Sequence, residues 1–501
     1  MDLQSLINVV GKKGKRNAIV LSSQHTDYDD LRVNDLYQGL KTNKYKDEKT
    51  AAEKILKSDP SDKNYIKLRT KLKDSLFHNL FFLNYDNSKH PEYAQVEYEV
   101  RKNILQAKIL LREGNKENAV WLIKRTIKIA EPYFFTEELL ECYTLLRNQI
   151  SYSGNISKFE TIHSEVVKLE EIHSAEREAS YLQYASMGNI LKSLVNKRRF
   201  IPKFKKWTQK AEQLRKKHNT PYLNLTEFRL KSNYYTLIED YDELLKACNQ
   251  AEKYIQNNGQ KAFQTKITEI ALYKGHALLN LKDFKNGKKF FDSSIKKFNK
   301  DNNNWFALME DYFLLCMRTD NFKQAGKIID QVKANVFYRA QAERARDRWY
   351  IYQGYYAFVN PDHKPKFQIQ NFLQQIPDFD KDKYGYQAST LIIHFFHLLK
   401  DNDYEGLQVR IEVMKKYIMK QIARSGNERL QCLLRLLQNA HSTGYNYKLT
   451  VEKSQNYLKK LKNFKGKAEA FEEIEVIEYE RLWEILLEML KTRNASYLIV
   501  S

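Results

Sequence analysis

Ten basic residues crowd the stretch 197–217: Lys197, Arg198, Arg199, Lys203, Lys205, Lys206, Lys210, Arg215, Lys216 and Lys217, against one acid, Glu212. Charge at this density attracts phosphates or carboxylates, with an affinity that falls as salt rises. Phe200, Phe204 and Trp207 lie within it at helical spacing and are expected to be core, with the lysines forming a ridge above them. A second basic stretch, 282–300, holds seven lysines against Asp283 and Asp292.

Arg344, Arg348, Tyr352 and Tyr355 fall on one side of a helix, at i, i+4, i+8 and i+11. Arginine pairs bidentately with carboxylates, and Arg and Tyr dominate interface energies, so this face is a candidate site for an acidic peptide. The competing expectation is helix packing, with the arginines paired to Glu343 and Asp347. His394 and His397 could begin a metal site, but no Glu of the HExxH type accompanies them and no cysteine is near. They are expected to be core or hydrogen-bonded histidines, and no metal or cofactor is expected. Walker, GxGxxG, GxSxG and kinase motifs are missing, so the chain is expected not to be an enzyme.

The elements that position these residues follow from a repeat. A polar or glycine residue followed by an aromatic marks turns at Phe159, Phe200, Tyr241, Phe284, Phe322, Tyr404 and Tyr445, at steps of about 41 residues. One step is double, with a degenerate turn near His363, and Gly114-Asn115-Lys116 is an earlier turn without the aromatic. A period of this size predicts stacked helical hairpins: an all-α, right-handed α-solenoid of about nine hairpins.

One unit carries Gly275 and Leu278, then Lys282-Asp283-Phe284, then Gly287, Phe291 and Ser294. A second has Ala107, Leu110, Gly114-Asn115-Lys116, Ala119, Ile123 and Thr126; a third has Asp320-Asn321-Phe322, Ala325, Ile329 and Val332. These units resemble the tetratricopeptide repeat family. They depart from it by Leu278 at the first aromatic position, by Lys282 at the turn glycine, and by a step longer than the family's 34. Elsewhere Leu244 and Leu407 replace a small residue. The resemblance implies that the first helix of each unit lines a groove for a protein or peptide, which would place the Arg344 and Arg348 face there.

Four regions are expected. Residues 1–30 are a basic arm containing Gly11–Arg16. Residues 31–90 form three helices, the third with an apolar stripe of Leu68, Leu72, Leu76 and Leu80 and a basic stripe of Lys63, Lys67 and Lys71. This region is either a cap for the repeats or a helix-turn-helix for DNA. The cap is favoured because no base-reading Arg, Asn or Gln cluster opens the third helix. Residues 91–465 are the repeats. Residues 466–501 form an acidic capping helix with an apolar tail, Tyr497–Ser501.

Composition agrees. The 501 residues include only 8 Pro and 16 Gly, and the net charge is +22. No apolar run is long enough for a membrane span, the first residues lack a secretory pattern, and four distant cysteines suit a reducing compartment, so a cytoplasmic protein is expected. The function expected is a non-enzymatic scaffold that binds an acidic protein or peptide. The alternative is a nucleic-acid-associated regulator acting through the 31–90 or 197–217 surface.

Overall fold

A chain poor in glycine and proline has few helix breakers, and the structure is built accordingly. The computed structural model describes residues 3–4, 6–7, 28–80, 92–192, 200–258, 266–360, 386–419, 428–464 and 475–500. Twenty α-helices and no strand occur among the described residues. None of these helices is long and apolar enough to cross a membrane. The segment Gly11–Arg16, the turn near His363 and residues 465–474 lie outside the described residues. The chain divides into two compact units, 1–173 and 174–501.

The first unit opens with α1 (Tyr28–Lys41), α2 (Glu48–Leu56) and α3 (Lys63–Leu80), which pack on one another. Asp47 caps α2 by accepting the Thr50 N–H at 2.7 Å. Leu68, Leu72 and Leu76 are buried as their spacing predicts, around Val33, Leu36 and Tyr65. There follow α4 (Glu92–Arg112), α5 (Lys116–Ala130), α6 (Thr136–Ser151) and α7 (Ile156–Lys192). Helix α5 packs on both α4 and α6, and α4 also meets α6. Ala107 and Ala119 are fully buried, and having only a methyl group they let helices approach closely.

The second unit takes the later part of α7, then α8 (Ile201–His218), α9 (Pro221–Ile238), α10 (Tyr241–Asn258), α11 (Ile267–Asn280), α12 (Phe284–Ser294) and α13 (Asn303–Arg318). It continues with α14 (Phe322–Lys333), α15 (Glu343–Val359), α16 (Tyr386–Lys400), α17 (Tyr404–Tyr417), α18 (Glu428–Ser442), α19 (Tyr447–Lys462) and α20 (Tyr479–Val500). From α8 onward each helix packs on its successor, and α11 also meets α13. Gly275 and Gly287 mark close crossings: a Cβ at 275 would stand 3.0 Å from Phe291, and one at 287 would overlap Leu315.

The turn signature has a physical cause. Gly114, Glu239, Lys282, Asp320 and Asn402 all have positive φ, and each stands two residues before a helix starts. The next residue donates its N–H to a carbonyl five residues back, as Asp283 does to Leu278 (3.2 Å) and Asp403 to Leu398 (3.0 Å). This is the left-handed C-terminal stop of one helix. The same Asp then caps the next: Asp283 accepts the Asn286 N–H at 3.0 Å, and Asp403 that of Gly406 at 2.8 Å. Tyr241, Phe284, Phe322 and Tyr404 are thus first helical residues. Tyr445 differs, since it adopts positive φ itself beside Gly444.

One expectation fails. The period places a hairpin turn at Phe159 and requires two helices between it and Phe200. The turn stands just before Ile156, with Gly154 at positive φ, but Phe159 lies inside α7, which is continuous over 37 residues. Its sequence contains no proline and no glycine before Gly188, so nothing there interrupts the helix.

Hydrogen bonds link side chains about 40 residues apart. Arg101 pairs with Glu138 at 2.8 Å, Arg229 with Glu269 at 2.5 and 2.6 Å, and Tyr273 with Asn233 at 3.1 Å. Their separations are 37, 40 and 40 residues. A different long-range link comes from the C-terminal segment. Arg318 donates to the Glu475 carbonyl at 3.1 Å across 157 residues, and Arg429 pairs with both Glu475 and Glu480.

Candidate functional site

Helix α8 sorts its charges by face. Phe204, Trp207, Ala211 and Leu214 are buried, as a helical stripe must be to seat it. Lys203, Lys206, Lys210 and Lys217 share a side that flanks this stripe, at i, i+3, i+7 and i+14, whereas Arg215 turns inward and is half-buried. Acids neutralise part of the predicted ridge. Lys210 pairs with Glu178 at 3.2 Å, Arg215 with Glu227 at 2.6 Å and Lys216 with Glu212 at 2.8 Å. The hydrogen bond from Lys216, with Lys231 nearby, holds the Glu212 carboxyl below its usual range. Lys203, Lys205 and Lys206 are exposed and have no acid partner among the described residues, and Lys203 lies over the Trp207 ring at 4.9 Å. Lys197, Arg198 and Arg199 lie outside the described residues.

Behind this helix is a cleft of about 350 Å³ between α8, α9, α10 and α11. Its polar side is an ion cluster. Glu227, 7% exposed, receives Arg215 at 2.6 Å and Lys231 at 2.7 Å. Phe228, Ile255 and Ile270 form its apolar side. Burial raises the Tyr254 hydroxyl pKa, so the phenol stays protonated as a donor, reaching toward the Asn219 carbonyl at 3.4 Å. This combination can hold a polar group of a ligand, but it contains no activated nucleophile beside a base. Sequence reasoning assigned Arg215 to the ridge and missed Glu227 and Lys231; their i, i+4 spacing on α9 was the available signal.

The second basic stretch is more open. Lys282 and Lys288 pair with Glu478 and Asp292, but Lys285, Lys289, Lys296, Lys297 and Lys300 are exposed and unpaired among the described residues.

The Arg/Tyr face on α15 is not an open groove wall. Tyr352 and Tyr355 are each 1% exposed. Tyr352 stacks on Phe313 at 5.1 Å and meets Trp349 edge-on at 5.4 Å. Tyr355 is buried in the same core as Val476, Ile477 and Tyr479 of the C-terminal segment, and Glu475 stands near enough to help raise its pKa after burial itself. Arg348 pairs with Glu310 of α13 at 2.8 Å. Arg344 is exposed, and its carbonyl accepts the Tyr386 hydroxyl at 3.2 Å. Of the four, Arg348, Tyr352 and Tyr355 pack against the chain itself, and Arg344 stays exposed.

His394 and His397 are half-buried on α16, and His397 lies edge-on to Phe358 at 6.1 Å. Burial, with Arg410 nearby, pulls His394 down to about 4. No group of three or more His, Cys, Asp or Glu among the described residues could hold a metal ion. All four cysteines are buried and unpaired with one another. No protein-family model, curated protein or solved structure matches the chain. The tetratricopeptide resemblance therefore rests on the turn and small residues of this chain.

Proposed function

We propose that this chain is a non-enzymatic scaffold of tetratricopeptide-like hairpins that binds an acidic protein or peptide. The observation that carries the reading is the set of solvent-facing lysines left without acids among the described residues: Lys203, Lys205 and Lys206 on α8, and Lys285 and Lys289 on α12. Lysines on neighbouring turns do find acids, whereas these positions present positive charge to solvent, which suits an acidic partner.

The hairpin reading is supported by side-chain bonds at intervals of 37 to 40 residues and by the shared helix-stop and cap turn. A solenoid built from such units is expected to work as a binding surface. The partner surface in this proposal lies on the exposed lysine faces, because Tyr352 and Tyr355 of the α15 face are taken up by core packing.

Affinity purification of the intact chain, with and without nuclease, tests the reading. Protein partners that survive nuclease treatment are expected. Recovery of nucleic acid alone would contradict the reading and favour a regulator acting through α8 or through Lys63 and Lys67 of α3.

A further inference from the structure

A second cleft, of about 810 Å³, opens between α12, α13 and α14 and the loop that follows α14. This size lies within the range of ligand sites. Trp305 and Ile295 line it on the apolar side, and Gln324 and Gln331 on the polar side. Trp305 is 3% exposed, and its indole N–H is buried with no hydrogen-bond partner among the described residues. A buried donor left in this state is costly unless something supplies an acceptor.

The edge of the cleft has two further features. Val336 is 82% exposed and Phe337 42% exposed, so two adjacent apolar side chains stand at its mouth. Lys296 and Lys300 also line it, exposed and without acid partners among the described residues. The one carboxylate lining it with them, Asp292, is already held by the Tyr312 hydroxyl at 3.0 Å and by Lys288. The loop is fixed in place: Asn335 donates to the Lys300 carbonyl at 2.9 Å and accepts the Phe337 N–H at 3.0 Å.

We infer that this cleft binds an extended peptide segment in which an apolar side chain adjoins an acidic one. The apolar side chain packs on Ile295, Val336 and Phe337, and the carboxylate lies between Lys296 and Lys300. Gln324 and Gln331 each offer one donor and one acceptor to the peptide backbone. A peptide oxygen accepts from the Trp305 N–H. The inference rests on the scaffold reading but assigns a separate site from the α8 lysines.

The test uses the full chain and fluorescein-labelled decapeptides: one alternating Glu with Leu and Phe, one of Glu alone, and a single-stranded oligonucleotide as competitor. The mixed peptide is expected to bind saturably and to change tryptophan fluorescence. Val336→Asp and Lys300→Glu alter exposed side chains, so the fold is retained, and each is expected to weaken binding about tenfold, an interface hot-spot effect. Trp305→Phe, which keeps the ring and removes the donor, is expected to weaken it several-fold, and unchanged affinity would remove Trp305 from the site. Lys203→Glu with Lys206→Glu is expected to leave this peptide unaffected. Equal binding by Val336→Asp, Lys300→Glu and the parent chain would overturn the cleft while leaving the scaffold reading intact. Failure of the parent chain to bind the mixed peptide would overturn it as well, and the nuclease experiment would then decide the scaffold reading separately. Displacement of the peptide by the oligonucleotide at equal charge would reject a peptide as the occupant.

Discussion

The Arg229 guanidinium grips Glu269 through two parallel bonds, Nε to Oε1 at 2.5 Å and Nη2 to Oε2 at 2.6 Å, across 40 residues of sequence. Its third nitrogen reaches back to Gln183 at 3.3 Å, 46 residues earlier. One side chain on α9 therefore ties together α7, α9 and α11. Both partners are mostly buried, so the pair is geometrically fixed and poorly screened. Arg229→Ala is expected to destabilise the chain by about 3 kcal/mol, because it leaves the Glu269 carboxylate buried without its partner. Arg229→Lys, which cannot form the fork, is expected to recover only part of that loss. Denaturant unfolding measures both.

The turn geometry makes opposite predictions at two positions. Gly114 has φ of +76° and open space around it, so Gly114→Ala costs only the backbone strain, about 1 kcal/mol. Lys57, at the stop of α2, has φ of 50° and is exposed. Lys57→Gly is expected to stabilise by a similar amount, about 1 kcal/mol. Matching thermal shifts of opposite sign would support the left-handed stops, whereas equal signs would contradict them.

Close crossings are more sensitive than turns. A side chain at Gly287 would overlap Leu315, which is fully buried in the main core of the second unit. Gly287→Val is expected to cost about 3 kcal/mol, at the upper end of overpacking penalties. Calorimetry is the check, and a cost below that of Gly114→Ala would show that α12 and α13 are not in tight contact there.

Acid destabilisation should be traceable to α16. His394 is held down to about 4 by burial, from an ordinary value of 6.5. The unfolded chain therefore takes up a proton near pH 6.5 while the folded chain resists it until about pH 4. Stability is full above pH 6.5 and falls as the pH drops toward 4. His394→Phe is expected to flatten that part of the stability profile, read from unfolding midpoints between the two pH values. An unchanged slope would show that His394 is not held neutral in the fold.

The sequence made some elements legible and hid others for definable reasons. The Asp caps at Asp283 and Asp403, and the small residues Ala107, Ala119 and Gly287, carry local chemistry that a sequence displays directly. The continuity of α7 was also readable, from the lack of breakers before Gly188, but the aromatic at Phe159 suggested a turn. Tyr352 and Tyr355 could not be placed in this way. Tyr355 lies close to the segment around Glu475, which meets Arg318 from 157 positions away, and no periodicity reports such a contact. The α8 ridge was visible as charge, but pairing of Lys210 and Arg215 depends on Glu178 and Glu227 from neighbouring helices.

The most direct test of the proposed function is a salt titration of the intact chain against a poly-glutamate peptide and a duplex oligonucleotide of equal charge. The parent chain and a variant with Lys203, Lys205, Lys206, Lys285 and Lys289 all changed to Glu should be compared side by side. The scaffold reading predicts tighter binding of the peptide, an affinity that falls with salt, and its loss in the variant. Preference for the oligonucleotide, or peptide binding that survives all five charge reversals, would contradict it.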